Sequence, residues 1–136
     1  MNMANPNIVN VNSIYGNTAY VIPSGTTANT AWTYNGTTSL TGLTPAANTV
    51  NRVTSIVVSN TANTTANTSV AIGNNATFGS ATVVGYFAFK IDVPPSSSLV
   101  VVDKTNSFYV TENQSVGVTS GTASALTYVA SFEQIT

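Results

Sequence analysis

Residues 85–104 read GYFAFKIDVPPSSSLVVVDK. In the first half, Phe87, Phe89, Ile91 and Val93 alternate with Tyr86, Ala88, Lys90 and Asp92. Side chains on a strand point alternately to opposite faces, so this pattern predicts a strand with one apolar face and one mixed face. Pro94-Pro95 ends it, because proline donates no ladder hydrogen bond and restricts the residue before it. Residues 96–98 are all serine and make a polar corner. Residues 99–102 (LVVV) form a second run, too β-branched to favour a helix. The expected unit is strand, corner, strand, with the flanking runs packing on it.

Those flanking runs have the same character. On the N-terminal side, residues 52–60 (RVTSIVVSN) are dense in β-branched residues and predict a central strand. Val70 and Ile72 share a face in the next run, and Gly85 is the expected site of a bulge in a strand over 82–93. On the C-terminal side, a polar turn at 103–106 leads into a short strand at 108–110. A further strand at 115–119 carries Val116 and Val118 on one face. The last, over 126–133, aligns Leu126, Tyr128, Ala130 and Phe132. This makes seven strands from residue 50 onward, with a turn about every 8–12 residues, and no window carries a helical apolar period. The expected fold class is all-β: an antiparallel β-sandwich, Ig-like or jelly-roll-like, with a closed barrel as the alternative.

The first third differs. Its β-prone runs are weak and separated by long Asn/Thr-rich spacers, although Asn35-Gly36 after TAWTY is a good hairpin signal. The expected organisation is therefore residues 1–48 as an N-terminal arm or extra edge strands, and residues 49–136 as the sandwich domain. The arm reading supplies candidate intersubunit contacts: Ile8, Val9, Val11, Tyr15, Tyr20, Trp32 and Tyr34. Aromatic residues are enriched at such interfaces. For Trp32 the competing expectation is that it plugs one end of the core.

Composition narrows the function. Charged residues make up 5% of the 136, against about a quarter in ordinary soluble domains. Low charge harms solubility, so a subunit packed against neighbours is expected over a free monomer. Three cations and a net charge of −1 do not supply the clustered Lys and Arg that nucleic-acid binding needs. With neither cysteine nor histidine, disulfides, thiolate metal sites and the commonest general base are excluded. Uninterrupted apolar runs are far short of the roughly 20 residues that span a bilayer, and no membrane partner is expected. The N-terminal residues MNMANPNIVNVNS have no basic region followed by a long apolar one, so they do not read as a secretory signal.

Chemistry is sparse. The carboxylates are Asp92, Asp103, Glu112 and Glu133. Asp92 and Asp103 flank the proline corner and would lie near each other on neighbouring strands, as a glycosidase pair requires. Each also has a cation close by in sequence, Lys90 and Lys104, and supporting the corner is the simpler role. The Asn-rich loops hold almost no acid for a calcium site, and no nucleophile motif or phosphate-binding loop is present. No catalytic residue, cofactor or metal is expected. Tyr15, Tyr20, Trp32, Tyr34 and Tyr109 are the aromatics that could stack on a glycan.

From Asn51 to Ile135 the chain resembles small virion proteins of tailed bacteriophages, particularly marine ones. The resemblance is carried by Arg52-Val53-Thr54-Ser55-Ile56-Val57-Val58-Ser59-Asn60, the strand and polar corner from Phe87 to Ser98, and Ser98-Leu99-Val100-Val101-Val102-Asp103-Lys104. Tyr109 to Glu112 and Ser131-Phe132-Glu133-Gln134-Ile135 complete it. It covers the last 85 residues and implies a β-sandwich virion subunit without enzymatic activity. The expected function is a capsid decoration or cement protein on the major capsid protein or other virion subunits, as a homo-oligomer with a trimer among the allowed states. The virion, assembled in the host cytoplasm, is then its expected location. A neck or tail accessory subunit and a glycan- or receptor-binding module are the alternatives.

Overall fold

A computed structural model describes residues 11–78 and 83–136. Among the described residues there are ten strands: β1 Ile14–Val21, β2 Ala31–Tyr34, β3 Thr38–Thr41, β4 Val50–Asn60, β5 Ala66–Gly73, β6 Val83–Val93, β7 Ser98–Val102, β8 Phe108–Val110, β9 Ser115–Ser120 and β10 Leu126–Ile135. They form two antiparallel sheets. The larger has the order β3-β2-β1-β10-β4-β7, with β8 also on β4; the smaller is β6-β5-β9. The seven strands from residue 50 onward are those expected from the sequence, and the fold is an all-β sandwich.

The core lies between the sheets, and two long strands supply much of it; β10 alternates cleanly, whereas β4 changes phase at Thr54. β4 buries Val53, Ile56 and Val58, and β10 buries Leu126, Tyr128, Ala130 and Phe132. Val70, Val116 and Val118 meet them from the smaller sheet. The β4–β10 register shifts between Ser131 and Phe132, opposite Thr54, which locally bends the pair. Buried polar links join the two layers, among them one at Tyr128. The Thr68 hydroxyl (β5) donates to the Tyr128 oxygen (β10) at 2.6 Å, and the Tyr128 hydroxyl donates to the Thr119 carbonyl (β9) at 3.0 Å.

The described part of residues 1–48 takes the edge-strand form. β1 pairs β10 along its whole length, from Ile14 opposite Ile135 to Val21 opposite Tyr128. Asn35 and Gly36, at φ 53° and 80°, turn the β2–β3 hairpin; this left-handed pair is the reason for the Asn-Gly dipeptide there. The segment then closes the open edge of β9. Asn29 and Val118 exchange two backbone hydrogen bonds, at 2.7 and 3.0 Å, and Val116 N–H donates to the Gly42 carbonyl at 2.7 Å. Trp32 and Leu43 are fully buried in the same core as Val53 and Val118.

The 85–104 stretch departs from its simple alternation. Three register shifts insert extra residues into β6 against β5, around Val84, Phe87 and Phe89-Lys90. Lys90 sits at φ 50°, and its N–H turns to the Ser69 hydroxyl. Each bulge reverses the phase of the side chains that follow. Ala88 and Val93 are therefore buried, while Phe89 and Ile91, expected on the core face, are 53% and 43% exposed. The proline corner also carries the chain from the smaller sheet to the larger one, so β6 and β7 are not paired neighbours.

Candidate functional site

The outer face of the larger sheet is ordered by register. Gly16 on β1 lies opposite Glu133 on β10, Glu133 opposite Arg52 on β4, and Arg52 opposite Tyr109 on β8. Thr18 opposite Ser131 forms the next row. Beyond it Tyr20, Val129, Val57 and Val100 make a four-strand apolar row. In this last row Tyr20 and Val129 are each 42% exposed and Val100 59%.

The polar rows floor a broad depression of about 750 Å³. Arg52, Lys104 and Glu133 line it, together with Asn17 and Asn35. Arg52 Nη1 donates to Glu133 Oε1 at 3.4 Å, and Arg52 Nη2 donates to the Ser107 hydroxyl at 3.3 Å. Both members of the pair are partly exposed, at 40% and 37%. A pair so exposed adds little to stability, typically about 0–1 kcal/mol, so its arrangement matters more as surface chemistry.

The other carboxylates sit on separate elements. Asp103 caps the 3-10 turn Lys104–Asn106, accepting from the Thr105 amide and hydroxyl. The Thr105 hydroxyl, then its amide, hold the Asp103 carboxyl below the usual carboxylate range. Glu112 accepts from the Asn48 amide. Asp92 lies on β6 opposite Asn67. The cations expected to pair with Asp92 and Asp103 do not: the Lys90 ammonium lies over the Phe89 ring, 5.4 Å from its centroid. Arg52–Glu133 is the ion pair found among the described residues. No cluster of three or more His, Cys, Asp or Glu that could hold a metal occurs among them, and no helix is long and apolar enough to cross a membrane.

The candidate contact residues separate sharply. Trp32 is wholly buried, and its Nε1–H donates to the Val116 carbonyl at 3.1 Å, so it cannot serve as an intersubunit contact. It belongs to the core because β2 turns this side chain inward over β9. Tyr34 is half-buried and packs edge-on against Phe132, with ring centroids 5.8 Å apart. Tyr15 and Tyr20 are exposed at 62% and 42%. Val11 is half-buried, and Ile8 and Val9 lie outside the described residues. Of the aromatics that could stack on a glycan, Trp32 is therefore not accessible to one.

Two surfaces went unread in the sequence: the Gly16–Glu133–Arg52 row and the apolar set on β6. Arg52 and Glu133 each occupy an outward position of an alternating strand, which is a readable signal. Their adjacency depends on the β4–β10 register, which is not. On β6, Val84, Tyr86, Phe89 and Ile91 are all exposed, and Tyr86 packs edge-on against Phe89 at 4.8 Å. No protein-family model and no curated protein matches this chain.

Proposed function

We propose that this chain is a non-enzymatic structural subunit of a tailed-bacteriophage virion, a decoration or cement protein seated on the major capsid protein. The observation that carries the reading is the imbalance of its surface. Among the described residues eleven large apolar or aromatic side chains are exposed, from Ile14 to Val129, whereas the whole chain holds seven charges, three basic and four acidic. Such a surface disfavours a free monomer and suits burial against neighbours. The β6 set and the Tyr20–Val129–Val57–Val100 row provide two apolar surfaces on different sheets, as a subunit with more than one neighbour needs. Three bulges make β6 a poor template for strand addition, so its contact is through side chains. Many weak contacts repeated around a lattice then act together by avidity.

The test is quantitative mass spectrometry of purified particles. Copy numbers matching the capsid lattice are expected; a handful of copies would move the protein to the neck or tail, and its absence from particles would refute the proposal. Phe89→Ser and Val129→Ser, both at exposed positions, should lower occupancy with little change in melting temperature. Deleting residues 1–48 is a poor test of docking, because it also strips β1–β3 and Trp32 from the fold.

A further inference from the structure

The depression over Gly16 shares no residue with the apolar surfaces of the assembly reading, and its construction points to a ligand. Gly16 lies inside β1, opposite Glu133 in unbroken register, with φ outside the left-handed region. A Cβ there would meet nothing within 4 Å. Glycine inside a strand is unfavourable to the fold, and it often marks a place where another molecule approaches closely. No bulge, turn or packing contact explains it here; its effect is an open floor between Arg52, Glu133 and Asn35.

Charge is concentrated at the same place. Arg52, Lys104 and Glu133 are three of the chain's seven charges, and all line this depression. The Arg52–Glu133 pair presents donors beside an acceptor. A hydroxyl is donor and acceptor at once, so neighbouring sugar hydroxyls match the pair, while Thr18 and Ser131 add further hydroxyls at the floor. An inorganic phosphate offers mainly acceptors and has no ring of hydroxyls to donate to Glu133. Arg52 and Lys104 against Glu133 leave one net positive charge, which suits a ligand bearing a carboxylate.

We propose that this depression binds an acidic saccharide, a uronate-containing chain, with Arg52 and Glu133 on ring hydroxyls and Lys104 on the sugar carboxylate. The site is broad and open, as an oligosaccharide crossing the sheet requires. It stands independently of assembly into a particle.

The experiment is calorimetric titration of the full chain with tetragalacturonate, with maltotetraose and with inorganic phosphate. Saturable binding of tetragalacturonate is expected, with maltotetraose weaker. Gly16→Val fills the floor and should weaken binding at least about tenfold, since it removes the space the ligand occupies. Lys104→Ala, at an exposed position in the 3-10 turn, should erase the preference for the acidic sugar while leaving the melting temperature unchanged. Three results would overturn the proposal: no saturable binding of tetragalacturonate, binding indifferent to both substitutions, or equal affinity for maltotetraose or phosphate.

Discussion

Replacing Tyr128 with phenylalanine removes one oxygen from the middle of the sandwich. That oxygen accepts from Thr68 and donates to the Thr119 carbonyl, joining β10 to both β5 and β9. Thr68 and Tyr128 are both fully buried. Each such hydrogen bond contributes about 1 kcal/mol net, and a buried partner left unpaired costs about 1–3 kcal/mol, so Tyr128→Phe should destabilise by about 2–3 kcal/mol. For a chain of this size that corresponds to a melting temperature lowered by about 10 °C. Thr68→Val made on top of Tyr128→Phe removes the stranded hydroxyl. The double variant should therefore be more stable than the sum of the singles implies, by about 1 kcal/mol.

The same group gives the protein an alkaline limit. Burial pushes the Tyr128 hydroxyl up to about 12 from its usual 10.0, partly opposed by the Thr68 hydrogen bond. The folded state holds this proton more tightly than the unfolded state does. Its contribution is thus complete below about pH 10 and is lost as pH rises from about 10 to about 12, amounting to about 3 kcal/mol. Urea unfolding across pH 8–12, for wild type and variants, reads both effects. A cost for Tyr128→Phe below about 0.5 kcal/mol, strict additivity with Thr68→Val, or an alkaline loss that persists in Tyr128→Phe would each refute the reasoning.

Other outcomes follow from single contacts. Trp32→Ala should cost about 3–5 kcal/mol from the cavity alone, with the Val116 carbonyl losing its indole donor as well; a melting curve like wild type with lost assembly would instead make Trp32 an interface residue. Gly42→Ala should lower the urea midpoint strongly. Gly42 has φ 66°, and an added Cβ would stand 2.5 Å from the Ser115 Cβ, so an unchanged midpoint would contradict the packing at the β9 edge. Asp103→Ala should loosen the 3-10 turn with a small global effect. Because the Asp103 carboxyl is held below its usual range, its contribution is present above the ordinary carboxylate range and fades as pH falls through the depressed value. Amide exchange at Thr105, faster in the variant at neutral pH, reads this directly.

Much of the fold was legible locally. The period-2 pattern of β10 assigned its inward face, and the β-branched density of 52–60 marked β4 as a central strand. Asn35-Gly36 announced its hairpin because both residues must take positive φ. What composition determined was mostly exclusion: without histidine, cysteine or a basic cluster, whole classes of chemistry have no groups to run on.

Tertiary structure decided the rest, because it depends on pairing between residues far apart in the chain. The alternation in 85–104 was real, yet three bulges set by β5 turned Phe89 and Ile91 outward. The corner joins two sheets instead of closing a hairpin, since β4 and β5 recruit β7 and β6 separately. A weakly patterned N-terminal segment folds back because β10 and β9 each offer it an unfilled edge. The row Gly16–Glu133–Arg52 exists through two registers, β1 on β10 and β10 on β4. A strand's own residues specify which faces it has; its partners specify what those faces meet.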